Sequence, residues 1–389
     1  MADQGPRSRL ITPPFVAVAL ATLAYFVAEG VLIPAVPLYV ERGLGGNSVA
    51  VGWVVGIFAA SALLLRPWAG RLSDRRGRRL VMVTGAGLVL VAVAGYLVSR
   101  SVAALLLVRL VNGAGEAFFF VGAAAAVSDL APPDRRGEAM SFFSLSLYLG
   151  IGVGPLIGEA LVDGSDFTAA WIAAGAITLV TAVLSLVVPE TRSKEVRDAG
   201  PGRLIHPGGL LPGTVLLASI LGMAGFFAFV PLYAPRIGLA GSRMVFVLFS
   251  AIVVAFRLFG ARIPDRLGVG RTSRVALALS ALGLATVAAW GTPAGLVAGT
   301  SVFALGIAFA TPALMAMAVN GVPATERGSV MGTFTAFIDL GFGLGPVLLG
   351  LVVHAAGFRA SFATGAAIAA VGFGLLYTRR VVSRTARAA

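Results

Sequence analysis

The sequence contains no cysteine, one lysine and two histidines, and each scarcity excludes a class of protein. Without cysteine there is no disulfide framework and no thiolate metal site. His206 and His354 are too distant in sequence to form a local metal-binding motif. Because Lys194 does not follow a glycine-rich phosphate loop, an ATP-driven pump is not expected. With no His-based dyad and no nucleophile motif, the sequence predicts neither an enzyme nor a metal or cofactor site.

Charged residues are also scarce, at 12% of the 389 residues against 58% hydrophobic residues. Soluble domains average about 25% charged residues, because a folded surface in water must be solvated. The 17 acidic and 30 basic residues of this chain are too few for that purpose. Most of the surface must therefore face lipid.

Long apolar runs are abundant instead. A membrane-spanning helix needs about 20 mostly apolar residues. Twelve runs meet this requirement: 15–40, 49–69, 80–98, 102–127, 137–162, 168–189, 213–234, 244–262, 273–290, 294–319, 328–353 and 360–378. The sequence therefore predicts an all-α membrane protein with 12 transmembrane helices.

The longest polar segment between two spans, 190–212, predicts a linker. It separates an N-terminal six-helix bundle, 1–189, from a C-terminal six-helix bundle, 213–389. If every predicted span crosses the membrane, most basic residues lie in segments on the same side of the membrane as the N-terminus. By the positive-inside rule both termini are cytoplasmic, in the cell inner (cytoplasmic) membrane. The net charge of +13 is then an orientation signal, and no nucleic-acid partner is expected.

The two halves repeat each other at one constant offset. The matched positions include charged residues and span glycines: Arg66 with Arg257, Arg71 with Arg262, Asp74 with Asp265, Arg75 with Arg266, Tyr148 with Asp339, and Gly154 with Gly345. An even number of spans in each half makes this a parallel repeat with its axis along the membrane normal. Transporters place the substrate site between such halves, near the bilayer midplane.

The loop after the second span carries a charged motif, Gly70-Arg-Leu-Ser-Asp74-Arg75-Arg-Gly77-Arg78-Arg79. It resembles the GxxxDRxGRR signature of the major facilitator superfamily (MFS) and matches it at every defined position. The resemblance implies the MFS fold and a loop that locks the inner side in the outward-open state. It also implies that the loop docks against the eleventh span and the inner end of the fourth. Asp129, at that inner end, is the expected partner of Arg75 or Arg78.

Two further motifs resemble the 12-helix drug:H⁺ antiporter branch of the superfamily. The fourth span reads Arg109-Leu-Val-Asn112-Gly113-Ala-Gly115, similar to RxxQGxG with asparagine in place of glutamine. The fifth reads Gly150-x-x-x-Gly154-Pro155-x-x-Gly158-Glu159, similar to the antiporter motif, which usually closes with a second glycine. Small residues four apart let helices approach closely in lipid. The resemblance implies that this face of the fifth span seals the lateral interface between the halves.

Three carboxylates, Glu29, Glu116 and Asp339, share the depth of the bilayer centre. A charge there costs about 2.5–3.5 kcal/mol on insertion scales, so each one requires an explanation. Arg109, Asn112 and Glu116 form one polar stripe along the fourth span. We predict that Glu29 and Glu116 carry the coupling proton, or alternate between proton and cationic substrate, while Arg109 tunes them. A permanent arginine–glutamate pair is the alternative, and Asp339 is either a second titratable site or a packing residue.

By the resemblance, spans 1, 4, 7 and 10 line a central cavity. Its expected lining residues are Tyr25, Glu29, Asn112, Glu116, Phe119, Met223, Phe227 and Met315. Such a cavity is acidic on one wall and apolar on the other, which suits lipophilic or amphipathic substrates. Arg66 and Arg257, at the inner ends of their spans, are expected to extend their side chains toward the interface.

Together these features predict a proton-coupled secondary active transporter that exports small lipophilic molecules, cationic ones among them, by alternating access. The proton gradient drives it without a cofactor, its partners are the substrate, protons and lipid, and a monomer is expected. The alternative is an importer or facilitator of a small metabolite, a symporter or uniporter on the same fold. That alternative is favoured if Arg109 binds an anionic group of the substrate.

Overall fold

The computed structural model describes residues 10–132, 135–191, 205–260, 267–320, 322–323 and 326–388. They form eleven α-helices: α1 (Pro13–Leu38), α2 (Ser48–Arg76), α3 (Arg78–Val98), α4 (Val102–Leu130), α5 (Arg136–Ala160), α6 (Thr168–Val187), α7 (Pro207–Tyr233), α8 (Arg243–Phe259), α9 (Val269–Ala289), α10 (Pro293–Val319) and α11 (Arg327–Ala388). A π-helical turn extends α1 and a 3₁₀ turn extends α7. Within the described ranges no β-strand occurs, and one isolated bridge joins Asp163 to Asp166.

The last helix, α11, is 62 residues long but is interrupted at Gly357. This glycine has φ 84° and ψ 174°, a conformation that side chains other than glycine rarely adopt. It separates a first arm, residues 327–356, from a second arm, residues 358–388. The predicted eleventh and twelfth spans therefore belong to one helical segment with a break. Ten segments of the described chain are long and apolar enough to cross a membrane.

Helix boundaries differ most from the predicted spans where polar residues are helical. Helix α2 continues past residue 69 to Arg76, because its last turns carry arginines that remain helical outside an apolar run. Helix α7 begins at Pro207, so residues 207–212 of the predicted linker are helical. Proline is favoured in the first turn, where its missing N–H has no helical partner, and the His206 side chain caps that turn. Residues 192–204 of the linker lie outside the described residues.

The buried apolar residues form two cores. One consists mainly of residues from α1–α6, with Tyr25, Phe119 and Trp171 among its members. The other consists mainly of residues from α7–α11, with Phe226 and Phe303 among them. The first half of the chain (α1–α6) and the second half (α7–α11) thus each bury their own apolar surface.

Glycines bring α1 and α5 into backbone contact inside the first half. A Cβ on Gly154 would lie against the backbone of Gly30 and 2.6 Å from the Val27 oxygen, and one on Gly158 would meet Val31. Gly150 approaches the Phe26 backbone in the same way. Gly150, Gly154 and Gly158 of the α5 motif therefore pack against α1, while Gly152 and Glu159 of the same helix contact α8 and the residue before it. Because Gly30 follows Glu29 directly, this packing fixes the position of that carboxylate.

The two halves are joined at the end of the bundle where α2 begins, opposite the arginine-rich loop 70–79. Gly52 and Gly56 of α2 lie against the α11 backbone near Pro346 and Gly343. Glu159 of α5 accepts hydrogen bonds at 2.9 Å from the backbone N–H groups of Ser242 and Arg243, which open α8. In the same region Glu41 pairs with Arg236 at 2.7 Å. These contacts close that end of the molecule.

Candidate functional site

A chain of hydrogen bonds in the middle of the first half begins at Glu29. The Asn112 side chain donates Nδ2–H to Glu29 Oε1 at 2.8 Å. Its Oδ1 accepts from Arg109 Nη1 and from the Tyr96 hydroxyl, both at 2.9 Å. The polar stripe of α4 is thus connected to Glu29 through a fully buried amide. Asn112 therefore lies between Glu29 and Arg109 and bonds both.

The guanidinium of Arg109 is enclosed by its own half. Its Nε donates to the Val54 carbonyl at 3.1 Å, and Nη2 donates to the Val55 carbonyl at 3.3 Å. The guanidinium carbon lies 4.5 Å from the centre of the Phe58 ring, a cation–π distance. All three nitrogens of Arg109 therefore already have protein partners. Arg109 here is a structural link between α4 and α2.

A second charged cluster joins the two halves through Arg66 of α2. Arg66 Nη2 lies 3.0 Å from Glu116 Oε1 of α4 and 2.9 Å from Asp339 Oδ1 of α11. Its guanidinium also lies 4.7 Å from the centre of the Phe120 ring. One cation therefore pairs with two carboxylates that belong to opposite halves. Glu116 forms the arginine–glutamate pair considered from the sequence, but its partner is Arg66.

The expectation that Arg66 extends toward the membrane interface is wrong, since only 19% of its side chain is exposed and its Nη2 pairs with two acids. The cause is geometric: Arg66 lies well inside α2, which continues for ten more residues to Arg76. A signal was present in the sequence, because an arginine within a span needs a partner. The partners could not be read from it, since they lie on α4 and α11, distant in sequence.

Aromatic rings separate the two charged clusters. Tyr25 stacks on Phe119 at 4.1 Å between ring centres, with 10° between the planes. Arg66 Nε and Asp339 Oδ2 are buried and have no hydrogen-bond partner among the described residues, and the buried Tyr25 hydroxyl lies beside Glu29. A cluster of such atoms beside two carboxylates is a place where water or a polar ligand group can bind.

The cavity residues expected from the second half lie outside this cluster. Phe227 packs edge-on against Phe246 and Phe249 of α8, at 5.4 and 5.1 Å between ring centres. Met223 is buried in the same core, and Met315 on α10 is 42% exposed. The structure therefore brings together Tyr25, Phe119 and the polar residues of α1 and α4. It adds Arg66, Phe120 and Tyr96, which sequence reasoning did not select.

The arginine-rich loop 70–79 folds onto the first half. Arg78 Nη1 contacts Asp74 Oδ1 at 2.6 Å, and Arg78 Nε contacts Asp129 Oδ2 at 3.0 Å. The Arg78 backbone N–H donates to Glu190 Oε1 at 2.6 Å, so Glu190 caps α3. Of the two expected partners, Asp129 thus pairs with Arg78, while Arg75 is exposed.

The loop was also expected to dock against the eleventh span. In the described part of the chain its hydrogen bonds and ion pairs join it to α2 and α4 of the first half and to Glu190, just after α6. This agrees with a molecule whose halves are closed at the opposite end. The corresponding loop of the second half, with Arg262, Asp265 and Arg266, lies outside the described residues.

Replacing Gly77 with alanine should destabilise this loop. Gly77 has φ 106°, and a Cβ there would meet the Glu190 carboxylate that caps α3. Strained backbone of this kind costs about 1–3 kcal/mol. Gly70→Ala is the matched control in the same motif, because a Cβ at Gly70 meets nothing within 4 Å. Thermal unfolding in detergent should therefore show a lower midpoint for Gly77→Ala only; equal midpoints for the two variants would contradict the role of Gly77.

Membrane-length apolar helices with charged residues buried among them are typical of membrane transporters. The sequence profile of the Major Facilitator Superfamily matches residues 18–299 and 243–389. The chain therefore belongs to the major facilitator superfamily. As an MFS-type transporter it is a multi-pass membrane protein that moves small-molecule substrates. Members of this family are generally not enzymes.

Individual relatives agree with this assignment. An uncharacterized MFS-type transporter of Pseudomonas aeruginosa is 30% identical over 370 residues, 90% of this chain and 89% of that protein. The crystal structure of the human organic anion transporter MFSD10 (TETRAN) has a TM-score of 0.72 at 21% identity and covers 94% of this chain and 100% of that one. A bacterial homolog of the human lysosomal transporter Spinster, inward-facing and unoccupied, has a TM-score of 0.78 at 13% identity, with 94% and 96% covered. At these identities the two structures show a shared fold.

Proposed function

We propose that this protein is a proton-coupled antiporter that exports small lipophilic molecules, cationic ones among them, across the cytoplasmic membrane. The observation that carries the proposal is the arrangement of Glu29, Glu116 and Asp339 in the middle of the bundle. Two of these carboxylates belong to opposite halves and share the cation Arg66. Acidic groups inside a membrane bundle characteristically form proton and ion pathways.

We further propose twelve spans with both termini cytoplasmic. The two arms of α11 supply two spans, and the 17 residues of α8 reach about 26 Å, close to the ~30 Å hydrocarbon thickness. The arginines of loop 70–79 orient this end of the bundle toward the cytoplasm. The chain then forms an N-terminal and a C-terminal six-helix bundle, functions as a monomer, and is closed on its outer side in this structure.

The surroundings of Glu29 suit a group that takes up and releases a proton. Its hydrogen-bond partner is the neutral Asn112 amide, whose N–H can donate to a carboxylate or to the carbonyl oxygen of a carboxylic acid. The local structure therefore survives either protonation state.

The surroundings of Arg109 favour export over the alternative. An importer of an anionic metabolite needs a basic group that can receive the anion. Arg109 donates to two carbonyl oxygens and two side-chain oxygens of its own half, so its nitrogens already have acceptors. The acids at mid-bundle favour a neutral or cationic substrate.

The test is transport by purified protein in proteoliposomes with tetraphenylphosphonium, a lipophilic cation, as the probe. An imposed pH gradient should drive the cation toward the more acidic side, because protons must move in the opposite direction. Movement of cation and protons in the same direction would support the symporter alternative. Transport that ignores the gradient would identify a facilitator.

A further inference from the structure

The two halves contact each other through a pair of arginines that the internal repeat relates. Arg66 corresponds to Arg257, and Tyr148 corresponds to Asp339 at the same offset. In the structure Arg66 contacts Asp339 at 2.9 Å, and Arg257 lies over the Tyr148 ring at 4.8 Å. Each contact joins one half to the other, and the internal repeat relates the two contacts.

The chemistry of the two contacts differs. The contact of α2 with α11 is an ion pair whose acid can be neutralised by a proton. The contact of α8 with α5 is a cation–π interaction between a guanidinium and a phenol ring, neither of which changes charge at ordinary pH. A proton can therefore weaken one side of the interface without directly weakening the other.

We propose that Arg66 is the positioning residue that links protonation to the separation of α2 from α11, while the Arg257–Tyr148 contact acts as the proton-independent pivot. This inference rests on the proposed proton coupling and names the element through which it acts. Arg66 positions the carboxylates and is not itself required to touch the substrate.

The immediate surroundings of Arg66 support this role. The titratable groups that face it are Glu116 on α4, Asp339 on α11 and Tyr25 on α1. When both acids are ionised, two negative charges hold one cation and keep α2 beside α11. When Asp339 takes up a proton, Arg66 retains Glu116 of its own half, and the charge attraction between the halves is lost. Asp339 Oδ2 and Arg66 Nε are buried at this contact without a hydrogen-bond partner among the described residues.

Spin-label distances can follow each side of the interface separately. The chain has no native cysteine, so labels attach only at introduced positions. Leu64→Cys on α2 with Leu344→Cys on α11 reports one side; these residues are 72% and 46% exposed. Leu149→Cys on α5 with Leu258→Cys on α8 reports the other, at 37% and 56% exposure. Exposed sites leave the packing intact.

In otherwise wild-type protein, acidic buffer should lengthen the α2–α11 distance and leave the α5–α8 distance nearly unchanged. Arg66→Gln should abolish the pH response of the α2–α11 pair. Arg257→Gln, the repeat-related control, should preserve it. Arg66→Lys should restore the response in part, because lysine keeps the charge without the planar fork of donors. If Arg66 had only a structural role, the pH response of the α2–α11 distance would not depend on its charge.

Several outcomes would overturn the inference. A pH response of the α2–α11 pair that persists in Arg66→Gln, or that is lost equally in Arg257→Gln, removes the special role of Arg66. If Arg66→Gln does not fold, two other results would overturn the role of Arg66. One is the absence of a pH response in the Arg66→Lys variant, and the other is an equal response of both label pairs in the unsubstituted protein. Proton-driven transport without these distance changes would overturn only the role of Arg66. Transport that ignores the pH gradient would instead overturn the proposed function.

Discussion

The Glu29→Gln variant is expected to show proton-driven transport that is slower by at least ~tenfold. A change of this size lies within the ~5–150-fold effects that correspond to the usual coupling free energies between two sites. Glutamine has nearly the same shape and can still accept the Asn112 hydrogen bond at 2.8 Å through its own oxygen. The network that reaches Arg109 should therefore persist, and the protein should express and fold. What disappears is the exchangeable proton. The measurement is tetraphenylphosphonium transport driven by a pH gradient in proteoliposomes.

Glu41→Gln is the control for that variant. Glu41 lies just beyond the end of α1 and pairs with Arg236 where the halves meet, away from the mid-bundle acids. Its neutralisation should leave proton coupling intact, since a partly exposed ion pair contributes little, about 0–1 kcal/mol. Undiminished pH-driven transport in Glu29→Gln would remove Glu29 from the proton pathway.

The Gly154→Ala variant is expected to lower the stability of the protein by about 1–3 kcal/mol, the usual cost of overpacking. The added methyl group would meet the backbone of Gly30 and the Val27 oxygen, neither of which can rotate away. Helix α1 must then move from α5, and Glu29 moves with it. Proton-driven transport should therefore fall together with the thermal unfolding midpoint.

Gly137→Ala provides the matched control on the same helix. A Cβ at Gly137 meets nothing within 4 Å, and alanine is a better helix former than glycine by about 1 kcal/mol. This variant should be as stable as the parent or more so. If Gly154→Ala proves as stable as Gly137→Ala, α1 and α5 do not approach as closely as the structure shows.

Much of the fold follows from local composition and pattern. The apolar runs place most helix boundaries within a few residues, because a span is defined by its own sequence. The repeat-related glycines of α5 also mark a close helix contact. Which helix they contact is a tertiary property, and the structure places α1 there through Gly30.

The candidate site could be predicted only in part, because its contacts also depend on tertiary packing. A carboxylate within a span identifies itself, so Glu29, Glu116 and Asp339 could be selected without knowing the packing. The choice of counter-ion could not, since Arg66, Glu116 and Asp339 lie on three helices separated by long stretches of chain. Likewise, the four oxygens that surround Arg109 include two backbone carbonyls, which carry no sequence signal.

The most direct test of the central claim is proton release upon substrate binding. Tetraphenylphosphonium is added to wild-type protein in weakly buffered detergent solution, and the pH change is recorded. The proposed antiport predicts that the protein releases protons as the cation binds, and that Glu29→Gln releases fewer. Proton uptake upon binding, or binding without any proton change in the wild type, would contradict it.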